Sequence, residues 1–219
     1  MSSVLILVEG QTEERFVKDV LAPSLAEHGV YVVPKILVTK IVKAGANFKG
    51  GVTSFSHFER DLRLLLRDSS ATMVTTMIDL YGLPDDFPAI SQTRELPYSE
   101  RVAALTETLR QHFNDQRFRP YFSTHEFEAI ILPFLEVVAK ATGGVVPASS
   151  LAASDPESVN FINPPSKRLR ALFGNYRKAL HGPTVTRRIG LPELRRRCPL
   201  FDAWIAHMEA LNRNAPFLK

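Results

Sequence analysis

The sequence predicts an α/β protein: a doubly wound, mostly parallel sheet followed by a C-terminal helical extension. Three observations predict it. Val4-Leu5-Ile6-Leu7-Val8 is an unbroken apolar run, as expected of a central parallel strand buried on both faces. Strand-like runs then alternate with stretches of helical spacing as far as about Ala139. Beyond that point the alternation stops, and a Gly-, Ala-, Ser-, Asn- and Pro-rich connection, Ala141 to Pro165, leads into a basic tail. The expected division is therefore an α/β domain over residues 1–139 and a basic, mainly helical extension over 140–219.

Taken in order, Gly10 makes a turn after the first strand, and Thr12 is placed to cap a helix beginning at Glu13. Phe16, Val17, Val20 and Leu21 give that helix an apolar face, Pro23 is a candidate kink, and Gly29 closes the unit. Val30 to Val38 reads as a second strand with a break at Pro34, and Lys40 to Gly51 as a glycine- and lysine-bearing loop. Ser56 and Glu59 suit a capping box for a helix running to about Arg67. Ala71 to Ile78 is a strand ending at Asp79, followed by a polar, proline-containing insertion from Leu80 to Pro97. Val102, Leu105, Leu109 and Phe113 mark another helix, Phe118 to Phe122 a short strand, and a further helix starts near Glu126. Helices near Ser166–Leu180 and Leu200–Leu211 complete the tail.

Composition narrows the function. The chain has 219 residues, 45% hydrophobic and 23% charged, the balance of an ordinary globular protein. No apolar run is long enough to cross a bilayer and the opening strand runs straight into Glu9, so a cytoplasmic location is expected. The single cysteine, Cys198, excludes an internal disulfide and a cysteine-cluster metal site. A formal net charge of +4 is unevenly spread: after Asn160 twelve basic residues face three acidic ones, leaving an acidic front. That arrangement suits a metal site beside a polyanion-binding surface, and equally a solvated helical face.

Ligands of open α/β sheets bind beyond the carboxyl ends of the strands. Glu9 and Asp79 each follow a predicted strand directly, so neighbouring parallel strands would bring both carboxylates to one edge. Hard oxygen ligands with room for water or phosphate are what Mg²⁺ prefers. His125, Glu126 and Glu128 follow a third strand on the same predicted edge. Glu126 suits catalysis and a capping box with Ser123 equally well, and the helix macrodipole alone accounts for Glu14. Lys43 and Lys49, among glycines, are candidates to cradle a phosphate, although the loop is no Walker A motif. Lys167, Arg168, Arg195, Arg196 and Arg197 are candidates for nucleic-acid phosphate contacts.

Val8-Glu9-Gly10-Gln11-Thr12-Glu13 after a buried strand resembles the first Toprim motif of topoisomerases, primases and overcoming-lysogenization-defect-type nucleases. Met77-Ile78-Asp79-Leu80-Tyr81 stands in the place of the second, Asp-x-Asp. With Phe48-Lys49-Gly50-Gly51, Tyr81-Gly82-Leu83-Pro84, His125-Glu126-Phe127-Glu128 and Cys198-Pro199, nearly the whole chain resembles a bacterial Toprim-like family of unknown function. The resemblance implies a Toprim-like fold, Mg²⁺ or Mn²⁺ as cofactor, and phosphodiester hydrolysis of DNA or RNA. By the resemblance Glu9 would be the catalytic acid/base and Asp79 a metal ligand; the expected site adds Glu126 as a second catalytic residue and Glu9, Asp85 and Glu128 as further metal ligands, candidates by their placement rather than by the family motif. A role in phage defence beside an ATPase partner is implied in the same way. Tyr81 departs from the pattern, because a phenol is a poor Mg²⁺ ligand, and Asp85, Asp86, Glu126 and Glu128 are the candidates to replace it. That departure also admits a non-catalytic binding or regulatory subunit that keeps the fold, or a small-molecule phosphate enzyme. DNA versus RNA and the oligomeric state are open at this point.

Overall fold

The first strand, β1 (Ser2–Val8), is the apolar run read from the sequence, and its side chains divide between two cores. Val4, Ile6 and Val8 face one layer while Leu5 and Leu7 face the other. The computed structural model describes residues 1–38, 51–124, 126–148, 156–157 and 164–213. β1 pairs in parallel with β2 (Val30–Ile36) on one side and β3 (Met73–Asp79) on the other. The sheet continues in parallel through β4 (Phe118–Arg119) to give the order β2-β1-β3-β4, with β5 (Phe122–Ser123) pairing to the end of β3.

Pro34 does not break β2. The amide of Leu37 donates to the carbonyl of Val8, so odd-numbered residues of β2 point their backbone groups at β1. Pro34 therefore turns its nitrogen to the open edge, where a missing N–H costs no ladder bond and blunts the edge against further pairing. A second proline, Pro120, does interrupt pairing and splits the expected single strand into β4 and β5. Threonines of β3 repair the gap: Thr75 donates its hydroxyl to the Arg119 carbonyl, and Thr76 exchanges hydrogen bonds with the carbonyl and amide of Tyr121 at 2.7 and 2.9 Å. These buried hydroxyls are satisfied, as a dry strand interior requires.

One face of the sheet carries α1 (Gln11–Phe16), a π-helical turn Val17–Leu21, and α2 (Ala22–Ala26). Pro23 comes just after the π-helical turn, in a helix that runs on from α1 without a break. Gly10, rather than Thr12, occupies the N-cap of α1, and no side chain caps it. The opposite face carries α3 (Phe55–Leu66) and α4 (Tyr98–Phe113) over a core that includes Phe58, Leu62, Leu105, Leu109 and Phe118. The cap of α3 is Ser54, which accepts from the amide of His57, two residues ahead of the expected capping box.

Beyond Ser123 come 3₁₀ turns at Phe127–Ile130 and Leu132–Phe134, then α5 (Leu135–Thr142), α6 (Pro165–Leu172), α7 (Lys178–Ile189), α8 (Leu191–Arg197) and α9 (Pro199–Arg213). Leu191, Leu194, Cys198, Phe201, Trp204, Ile205 and Met208 pack into the same core as Val4, Ile6 and Val8. Helices from the end of the chain thus cover the face begun by α1. Trp204 anchors them, stacking on Tyr121 with ring centroids 4.4 Å apart and donating from Nε1 to Thr75 Oγ1 at 2.9 Å. No helix among the described residues is long and apolar enough to cross a membrane.

Candidate metal centre

Adjacent parallel strands with Val8 opposite Met77 bring the residues that follow them to the same edge. Glu9 and Asp79 meet there: the Asp79 amide donates to Glu9 Oε2 at 3.0 Å. Two further acids join them. Glu13, in the first turn of α1, and Glu128, in the turn after β5, are buried, Glu128 completely. Into this group projects the ammonium of Lys178, the first residue of α7. Its Nζ lies 3.2 Å from Glu13 Oε1, 3.5 Å from Glu128 Oε2 and 3.6 Å from Asp79 Oδ2. The lysine side chain keeps 30% of its surface exposed, while the acids it meets are buried.

The aim of Lys178 is set by how α7 seats on α1. Gly182 is buried at that crossing, where a β-carbon would lie 2.9 Å from the Phe127 ring and 3.1 Å from Thr12 Cγ2. Pro183, inside α7, cannot donate to the carbonyl of Ala179. Arg15 of α1 donates to that carbonyl instead, at 3.2 Å, and ties the two helices together beside the lysine.

Burial raises the pKa of Asp79 well above the usual carboxylate range, and the neighbouring Glu9 carboxylate adds to it. Burial likewise raises Glu9, against the hydrogen bond from the Asp79 amide, and raises Glu128 against the pull of Lys178. Burial disfavours charge on Lys178, yet Asp79, Glu13, Glu128 and Glu9 together lift its pKa above lysine's ordinary value. The surrounding acids thus favour the charged ammonium, against the burial that opposes it.

Glu13 Oε1, Asp79 Oδ1 and both oxygens of Glu128 are buried without a hydrogen bond. Glu13 Oε1 and Glu128 Oε2 nevertheless face the Lys178 ammonium, the kind of charge a buried carboxylate requires. The donor set, all oxygen and all carboxylate, fits a hard divalent ion such as Mg²⁺ or Mn²⁺. With Lys178 between them, however, no three His, Cys, Asp or Glu side chains among the described residues are spaced to share one ion.

Of the residues singled out from sequence, the structure brings Glu9, Asp79 and Glu128 together. Asp85 stands apart, its side chain 89% exposed and paired with Arg94. Asp86 accepts from the amide of Phe55 at the start of α3. Glu126 does not cap its own turn; it accepts from the amide and hydroxyl of Ser166 at 2.8 and 2.9 Å, fixing the start of α6, and lies near enough to the centre for its charge to act on Glu9 and Glu128. Tyr81 is 48% exposed on the turn after Asp79. Lys167 is exposed and Arg168 half-buried on α6. Arg195 is held by Asp202 and Glu209, and Arg196 and Arg197 by Glu193. Lys43, Lys49 and His125 lie outside the described residues.

Two members of the centre carried no clear sequence signal. Glu13 shares its first helical turn with Glu14, and a helix dipole explains both. Lys178 lies among the basic residues of the tail, followed by a His181-Gly182-Pro183 stretch that reads as a helix breaker.

A model of a domain of unknown function, DUF4276, matches residues 8–209. No curated protein matches the chain. Among solved structures, the C-terminal region of the Burkholderia pseudomallei OLD protein is similar at 17% identity and a TM-score of 0.43, covering 98% of this chain and 98% of that one. The C-terminal region of the Xanthomonas campestris pv. campestris OLD protein is similar at 17% identity and a TM-score of 0.33, over 94% of this chain and 97% of that one.

Proposed function

We propose that this chain, which belongs to the DUF4276 family, is a Toprim-like phosphodiesterase that hydrolyses DNA or RNA with a bound Mg²⁺ or Mn²⁺ ion. One observation carries the reading. Four carboxylates from three separate parts of the chain, Glu9, Glu13, Asp79 and Glu128, converge at the carboxyl edge of a parallel sheet, and three of them, Glu13, Asp79 and Glu128, carry buried oxygens without a hydrogen bond. Packing alone does not favour such a group, because like charges in a dry site repel and each orphaned oxygen costs free energy.

Glu9 and Asp79 would hold the ion, which supplies Lewis-acid polarisation of a phosphoryl oxygen. Glu9 would also be the group that takes a proton from an attacking water. Lys178, whose ammonium the acids favour in its charged form, would stabilise the negative charge that develops on the phosphoryl group. Lys167 and Arg168, on the helix that Glu126 anchors, supply positive charge for the nucleic-acid backbone. An ATPase partner and a place in phage defence belong to the same proposal.

A second reading is favoured by Tyr81, which is no carboxylate, and by the lysine standing among the acids. In it the chain is a non-catalytic binding or regulatory subunit whose charge balance is internal. A cleavage assay on mixed DNA and RNA with Mg²⁺ or Mn²⁺ separates the two. Cleavage by wild type that Glu9→Gln abolishes supports the enzyme. Absence of cleavage with either ion, from protein that binds nucleic acid, supports the subunit.

A further inference from the structure

Two guanidinium Nε atoms among the described residues are buried without a hydrogen bond, those of Arg101 and Arg197. Arg197 has Glu193 at 3.6 Å. Arg101 has no acid to answer it: burial lowers its pKa, Arg94 adds to the fall, and only Tyr98 opposes them. Arg94 is itself paired with Asp85 on the surface, and Glu100, in the first turn of α4, is exposed and not among the charges that act on Arg101. A part-buried guanidinium beside a second cation costs free energy unless an anion joins it.

Topology puts this arginine at the edge where the acids gather. β3 and β4 run parallel, so α4, which connects them, starts at the carboxyl edge beyond Asp79 and runs back across the sheet. Arg101 closes the first turn of α4. It lies three residues after Tyr98 and four before the fully buried Leu105, a spacing that sets all three on one helix face. Tyr98 links it to the centre: burial raises the pKa of the phenol, Arg101 draws it down, and Asp79 pushes it up.

Resting on the phosphodiesterase reading above, we infer that Arg101 anchors a phosphate-binding subsite between the first turn of α4 and the acidic centre, taking a substrate phosphate other than the one that reacts. Its terminal nitrogens bond no acceptor among the described residues, and a guanidinium fork matches two phosphate oxygens at once. The substrate is thereby held on the α4 side of the centre, and the bound phosphate supplies the negative charge that the fold does not.

Anisotropy of a labelled single-stranded oligonucleotide on the full-length protein, read in EDTA and in Ca²⁺, tests this. Arg101→Gln should weaken binding about tenfold and lower the slope of log affinity against log salt by about 1. Arg101→Lys, which keeps the charge and loses the fork, should keep the slope and still bind more weakly than wild type. A 5′-phosphorylated and an unphosphorylated oligonucleotide distinguish the source: loss with both assigns Arg101 to a backbone phosphate, loss with the first alone to a terminal one. Unchanged affinity and slope for Arg101→Gln with both would overturn the subsite and leave the phosphodiesterase reading standing. If wild type binds neither oligonucleotide, that reading falls, and thermal melts in pyrophosphate decide the subsite alone. A shift of wild type that Arg101→Gln lacks supports it, and equal shifts or none overturn it. Without ligand, Arg101→Gln should melt no lower than wild type; a fall of more than about 4 °C would show that the fold itself holds the guanidinium and would overturn the subsite too.

Discussion

Replacing Gly182 by alanine puts a methyl group where α7 crosses α1. The added carbon would lie 2.9 Å from Phe127 Cε1 and 3.1 Å from Thr12 Cγ2, with Phe127 Cδ1 at 3.5 Å. Carbon atoms prefer separations of about 3.5–4 Å, so the helices must part by roughly half an ångström or more. Phe127 cannot swing aside, because it is buried and packs edge-on against Phe16 with centroids 5.4 Å apart. Overpacking of this kind costs about 1–3 kcal/mol. Alanine returns about 1 kcal/mol of helix propensity over glycine, leaving a net loss of roughly 0–2 kcal/mol. Gly182→Val adds two more carbons and recovers less helix propensity than alanine, so its loss should exceed the alanine value by about 2 kcal/mol. Urea denaturation in EDTA gives both numbers. Because Lys178 is four residues away on the same helix, about 6 Å along its axis, the ammonium moves with the displaced segment. The variants should therefore bind Mn²⁺ differently from wild type, whereas a substitution on the exposed face of α7, such as Arg187→Gln, should not. If Gly182→Ala stabilises the protein by the full propensity gain, α7 is not in tight contact with α1 and the account of how Lys178 is aimed fails.

Asp79→Asn should raise the melting temperature in EDTA, since Asp79 ionises at a cost even with Lys178 beside it, and Mg²⁺ should stabilise only wild type; a lower melting temperature in EDTA would mean that the ion pair outweighs burial. A carboxyl group whose pKa is raised by folding contributes stability that is full below its ordinary pKa of about 4 and is lost as pH rises through the folded value. The advantage of Asp79→Asn should thus shrink as pH is lowered from neutral, and a gap that widens on acidification would contradict the raised pKa. Trp204→Phe removes the hydrogen bond to Thr75 and part of the stacking on Tyr121, for about 1–3 kcal/mol in urea denaturation; a loss below about 0.5 kcal/mol would show that Trp204 does not hold α9 to the sheet. Lys167→Ala with Arg168→Ala should lower the slope of nucleic-acid affinity against salt by up to about 2, whereas Arg195→Ala, which strands the buried Glu209, should chiefly lower the melting temperature. A reversed pattern would place the polyanion surface on α8.

The sequence by itself determined the alternation of strands and helices and the parallel sheet, because an apolar run such as Val4 to Val8 has only one stable environment, between two layers. It determined as well that Glu9 and Asp79 would share an edge, since each is the residue that ends or follows a strand and parallel neighbours end together. Caps were less legible. Gly10 at α1, Ser54 at α3 and the reach of Glu126 to Ser166 depend on backbone angles and on contacts forty residues away, which spacing along the chain does not record. Pro34 and Pro120 look alike as residues; one sits at an edge where its nitrogen faces outward, the other at a change of strand partner, and only pairing distinguishes them. The tail shows the same limit most clearly. Arg177 and Lys178 are adjacent members of one basic stretch, yet only Lys178 enters the acidic centre. That selection was made by tertiary structure: Gly182 admits Phe127 and Thr12, Arg15 takes the carbonyl that Pro183 leaves open, and the first residue of α7 is thereby aimed at carboxylates fifty or more residues distant, where charge and burial, rather than sequence proximity, decide its partner.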